Sequence, residues 1–170
     1  MPNDPRIDPR IPPIAAVYRL DTRLLANCFA GVDDEQALYR PSTPYGGEVN
    51  HMAFLAAHLA DSRRFVADML GPEVAKPFPE LADGTGIDDF PELPKVEALL
   101  AAWREMGEVL DQRLIAATPE QLDTESSFAF GIDDRTNLGG ITFLLHHESY
   151  HIGQLAFLRK MVGLPAMEYA

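Results

Sequence analysis

Near its C-terminal end the chain reads His147-Glu148-Ser149-Tyr150-His151, which sets two imidazoles four residues apart. On a helix, at about 100° and about 1.5 Å per residue, that spacing stacks the rings on one face roughly one turn apart. Two neutral imidazoles held this way can chelate one divalent ion with no loop rearrangement. The remaining histidines are His51 and His58 in one stretch and His146 beside His147. His51 and His58 are nearly two helical turns apart and share a face. Two histidine-bearing helices packed together predict a buried metal site in the interior of a helical fold.

The third ligand comes from His58 or His51. His58 sits near the middle of its helix, as His147 and His151 do in theirs, and matching depth favours it. His51, near an end, is read as a supporting or surface residue. His146 is turned about 100° from His147 and is not counted as a ligand. Glu148 has three open roles: hydrogen-bonding a ligand, accepting a proton as the candidate catalytic residue, or facing solvent. Gln154 shares the site-facing stripe with His147 and His151. Gly153 is read as allowing close helix approach, Arg63 and Arg64 as surface charges, and Trp103 as core. The same five residues also fit the zinc-peptidase pattern His-Glu-x-x-His. That pattern needs a further ligand downstream, where no histidine follows His151 and the only later glutamate is Glu168.

The elements that carry these side chains are helices. The spacing predicts a first long helix over 14–30, with Val17, Leu20, Leu24, Leu25 and Cys28 inward, after a proline-rich extended lead over 1–13. A short helical turn is expected over 33–38. A second long helix is expected over 48–70, stopped by Gly71-Pro72. The third, over 94–117, keeps Val96, Leu99, Leu100, Trp103, Met106, Leu110 and Leu114 on a three/four-spaced stripe. Thr118-Pro119-Glu120-Gln121 reads as a capping box with proline at the first helical position. The fourth long helix, over 138–162, closes at Gly163-Leu164-Pro165. Four helices of this length bury their stripes against one another, so the expected class is all-α, a single-domain four-helix bundle over 1–170. The linker of about 20 residues between the second and third long helices is long for a hairpin. It suits a lengthwise crossing and an up-down-down-up topology.

Bulk properties narrow the partners. A formal charge of −12 and a pI near 4.7 oppose a nucleic-acid role, because phosphates would be repelled. No apolar run approaches a membrane span, and the N-terminus lacks an apolar signal core. The single cysteine, Cys28, allows no intramolecular disulfide and suits a reducing cytoplasm. Among Leu24, Leu25 and Phe29 it reads as a buried structural thiol.

Residues 50–71, centred on Ala57-His58-Leu59-Ala60-Asp61-Ser62-Arg63, resemble the second helix of the DinB/YfiT-like superfamily. His147 through Leu155 resembles its fourth-helix signature, and Gly163-Leu164-Pro165 its usual ending. One departure is Ile152, where many members carry arginine. The resemblance implies an up-down-down-up bundle, frequently a homodimer, with a divalent metal on three histidines that map to His58, His147 and His151. Characterised relatives include transferases and isomerases that use low-molecular-weight thiols such as bacillithiol or mycothiol.

Two functional readings follow. The first is a metal-dependent enzyme acting on a small molecule, by thiol transfer or related hydrolase or isomerase chemistry. Three imidazoles leave a divalent ion with open positions, and the chain offers no obvious nucleophile of its own. The second is a non-catalytic metal- or ligand-binding bundle with a structural or stress-sensing role. Zinc and nickel lead the metal candidates, with iron and manganese behind them.

Overall fold

In a computed structural model the described residues are 6–42, 49–80, 87 and 92–169. The helices are α1 (Ile11–Phe29), α2 (Asp34–Ala37), α3 (Met52–Met69), α4 (Val96–Ala116), α5 (Pro119–Asp123) and α6 (Asn137–Met161). Beyond them, the described residues hold one isolated bridge, between Glu125 and Thr136. The class is all-α. None of these helices is long and apolar enough to cross a membrane.

The expected extended lead is shorter than the sequence implied. Helix α1 begins at Ile11 and takes Pro12 and Pro13 into its first turn, where the missing proline N–H groups would have had no helical partner. Ahead of it, the Asp8 carboxylate accepts from the Arg10 backbone and guanidinium, and the Asp8 carbonyl accepts from the Ile11 N–H. Val17, expected inward, is exposed, and Tyr18 takes the buried position. The start of the second long helix also differs. Residues 43–48 lie outside those described, and α3 is capped by His51, whose Nδ1 accepts from the Phe54 N–H at 3.0 Å. Asp33 and Thr118 form full capping boxes on α2 and α5, and Thr136 caps α6.

Helix α1 packs against α4 and α6, and α3 packs against the same two, so the four long helices close around shared cores. One core joins Leu25, Cys28, Phe29, Leu55, Leu59, Trp103, Ile152 and Leu155. A second joins Ile11, Tyr18, Val66, Leu110, Leu114 and Ile141 at the other end. Buried charge crosses between helices as well. Arg159 of α6 donates to the carbonyls of Cys28 and Ala30, satisfying acceptors left free where α1 ends, and to that of Pro165 beyond α6. The Arg63 and Arg64 side chains, expected at the surface, are both buried. Arg64 is held by Asp61 and Asp68, three residues before it and four after it on α3.

Candidate metal centre

The buried stripe of α6 runs through Ile141, Glu148, Ile152, Leu155 and Arg159. His147 and His151 lie beside that stripe and are only half-buried. On α3, His58 points away from the buried run of Leu55, Leu59 and Arg63, its ring packed among Phe54, His147 and His151 with part of its surface reaching solvent. The three histidines therefore meet in the outer seam between α3 and α6, not in the bundle interior as the sequence suggested. The interior position went to Glu148.

Within the seam the three rings converge. His147 Nε2 stands 3.2 Å from His58 Nε2 and 3.0 Å from His151 Nε2. The ring pairs meet edge to face, with centroids 5.0, 5.3 and 4.4 Å apart. Phe54, one turn before His58, lies parallel to its ring with centroids 6.1 Å apart. His51 serves as the α3 cap and His146 is exposed, so neither joins the cluster.

Proton positions favour a cation here. The Gln154 Oε1 lies 2.6 Å from His151 Nδ1, a contact that requires the His151 proton on Nδ1 and leaves the Nε2 lone pair facing the cluster. Gln154 in turn donates from Nε2 to the Tyr150 hydroxyl at 3.1 Å. His147 Nδ1 is buried and has no hydrogen-bond partner among the described residues, so no group on that side of the ring selects a tautomer. A single proton on His147 Nε2 cannot point squarely at both neighbouring nitrogens. With bonds near 2.1 Å, adjacent nitrogens on a tetrahedral or octahedral ion stand about 3.0–3.4 Å apart. The two separations from His147 Nε2 fall in that range, and the donor set fits a divalent ion.

All three imidazoles are held below the ordinary histidine range. Burial is the main cause in each; the neighbouring rings add to it at His147, which falls to about 4, and His151 adds to it at His58. At neutral pH the rings are uncharged and carry lone pairs.

Glu148 does not face solvent. Its carboxylate oxygens accept from Arg63, Nε to Oε2 at 2.9 Å and Nη2 to Oε1 at 2.7 Å. Arg63 also donates to Thr22 Oγ1 and to the Tyr18 carbonyl, and its guanidinium lies over the Trp103 ring, 3.4 Å from the centroid. Gly107 makes room for this, because a Cβ there would come within 2.7 Å of Arg63 Nη1. Burial raises the Glu148 carboxyl above the usual carboxylate range, while the Arg63 charge and hydrogen bonds pull it back. The same network continues to Asp21, which accepts from the Ser149 hydroxyl at 2.9 Å and is also raised by burial. His58 and Arg63 on α3 thus face His147 and Glu148 on α6. The ion pair pins the two helices about one turn from the histidines.

A family model described as the DinB superfamily matches residues 18–155, a span that takes in all three histidines of the cluster. No curated protein and no solved structure matches the chain.

Proposed function

The chain belongs to the DinB superfamily, and from that premise we propose that His58, His147 and His151 hold one divalent ion in an enzyme acting on a small molecule. Thiol transfer with a low-molecular-weight thiol is the leading reaction, with related hydrolase or isomerase chemistry next to it. The observation that carries the reading is the convergence of three neutral imidazoles at an opening to solvent. No fourth His, Cys, Asp or Glu joins them among the described residues. A divalent ion with three protein donors supplies a Lewis acid that favours ionisation of a thiol or water near pH 7 and polarises a carbonyl. Zinc and nickel suit the all-imidazole set, with iron and manganese as further candidates.

The protein's own residues prepare that site. Gln154 fixes the tautomer of His151, Phe54 backs the His58 ring, and the Arg63–Glu148 pair sets the spacing of α3 and α6. Glu148 is assigned to positioning, since both of its oxygens are engaged by Arg63. An up-down-down-up course is supported by the cross-links. Tyr18 with Ile141 and Cys28 with Ile152 keep α1 and α6 in step. His58 with His147 and Asn137 with Met69 run α3 against α6, and Arg63 near Gly107 with Arg113 near Gly71 keeps α3 and α4 in step. The whole chain is taken as one such domain, a cytoplasmic homodimer with neither nucleic acid nor membrane as partner.

The test is a turnover screen of zinc- and nickel-loaded protein with low-molecular-weight thiols paired with electrophiles, and with ester and amide panels. Metal-dependent turnover that disappears in His147→Ala is expected. Full metal occupancy without turnover on any panel contradicts the enzymatic reading and leaves a binding role.

A further inference from the structure

Gly153 stands well inside α6, where glycine is destabilising relative to alanine. Helices tolerate such a residue when a second backbone approaches closely, the arrangement expected from the sequence. The surroundings are different: among the described residues, a Cβ at Gly153 would meet nothing within 4 Å. The residue faces a cleft of about 580 Å3 whose walls include Leu55, Val49, Tyr150, Gln154, Phe157 and Met161. Close packing does not account for the glycine, which leaves this wall of the cleft without a side chain.

The cleft has the size of a small-molecule site, within the usual range of about 300–1,000 Å3. None of its lining residues among those described is charged, in a chain of formal charge −12. Tyr150, Phe157 and Met161 leave 59%, 62% and 46% of their surfaces exposed, so apolar wall area is available to an occupant. The cleft also connects to the histidine cluster. Gln154 lines it and holds His151, and the Tyr150 and His151 ring centroids are 5.3 Å apart. The Tyr150 oxygen accepts from Gln154, so its own O–H remains available to an acceptor on the occupant.

We propose that this cleft takes the uncharged alkyl or aryl part of the substrate, with Gly153 keeping it open and the Tyr150 hydroxyl donating to an acceptor atom beside the histidine cluster. The proposal rests on the metal reading above and adds to it a substrate class: a neutral, apolar molecule carrying a hydrogen-bond acceptor next to its reacting group.

Calorimetric titration of the zinc-loaded full chain with acetohydroxamate, hexanohydroxamate and adipate monohydroxamate tests it. Each buried methylene is worth about fourfold in affinity. Hexanohydroxamate should therefore bind at least about tenfold more tightly than acetohydroxamate, allowing for incomplete burial of its chain. Adipate monohydroxamate, of equal length but with a terminal charge, should lose most of that gain. Gly153→Leu fills the cleft while improving helix propensity. It should keep its zinc and its acetohydroxamate affinity but lose the chain-length gain, and Tyr150→Phe should weaken all three ligands while keeping it. Equal binding of the acetyl and hexanoyl probes by the zinc-loaded wild type, or a gain that survives Gly153→Leu, overturns the cleft assignment alone. A chain that takes up no zinc fails before any hydroxamate is added, and that result overturns the metal reading together with this one.

Discussion

Replacing Glu148 by alanine isolates the contribution of the pair that pins α3 to α6. The Arg63 and Glu148 side chains are 1% and 2% exposed, so neither charge can turn to water when its partner is lost. Removing one member of such a pair costs about 3–5 kcal/mol, because the remaining charge stays buried without compensation. Arg63 would retain Thr22, the Tyr18 carbonyl and the Trp103 ring, which places the expected loss at the lower end, about 3–4 kcal/mol. That is a large share of the roughly 5–15 kcal/mol typical of a whole domain. Glu148→Gln, which keeps one acceptor oxygen, should lose less. The paired variant Arg63→Met/Glu148→Leu removes both charges and should return to within about 2 kcal/mol of the wild type. Urea unfolding followed through Trp103 fluorescence and far-ultraviolet dichroism gives these differences, provided the slope with urea stays constant. A loss below about 1 kcal/mol in Glu148→Ala would refute the energetic argument. The paired variant decides the role: if it is stable and holds metal but has lost all turnover, Glu148 is a catalytic group after all.

Gln154→Leu should leave His151 free to take either tautomer and weaken metal affinity by about 10–100-fold. Tyr150→Phe keeps the His151 contact and should stay within about threefold of the wild type; chelator competition measures both, and equal affinities in all three proteins would contradict the tautomer argument. His51→Ala should cost about 1 kcal/mol as a lost helix cap while metal uptake is unchanged. Burial and the nearby Arg40 charge hold the folded His51 below its ordinary value of 6.5. Its stabilising contribution is therefore complete above pH 6.5 and declines as pH falls below that value. His51→Asn caps without titrating. The urea midpoint of the wild type, measured relative to this variant, should drop between pH 7.5 and 5.5, and a constant difference would contradict the cap assignment.

Most of the helical framework was legible because its signals are local. The three/four-spaced stripe of α4, the Thr118 capping box and the Gly163 stop after α6 depend on residues close in sequence. The His147–His151 spacing was legible for the same reason, and of the two histidines in the second long stretch it was His58, on α3, that joined them. The depth of the site was not. Which face of α6 turns inward depends on how its polar residues are paired across the bundle, and that pairing is long-range. A signal did exist: Ile141, Leu145, Glu148, Ile152, Leu155 and Arg159 repeat at four-three spacing, so Glu148 and Arg159 sit on the apolar stripe. On α3, Ala56, Leu59, Arg63 and Val66 do the same. A carboxylate and a guanidinium on facing inward stripes predict each other as partners. Treating Arg63 as a surface charge missed this and left the inward position to the histidines. Gly153 was misread because sequence alone cannot separate a glycine that admits a backbone from one that borders open space.

Metal content tests the central claim most directly. Untagged protein, equilibrated with zinc or nickel and freed of excess ion, is measured by elemental analysis for the wild type and the five single His→Ala variants. The account predicts about one ion per chain in the wild type, His51→Ala and His146→Ala, and a sharp loss in His58→Ala, His147→Ala and His151→Ala. A wild type that retains no ion, or full retention in His147→Ala or His151→Ala, would contradict it.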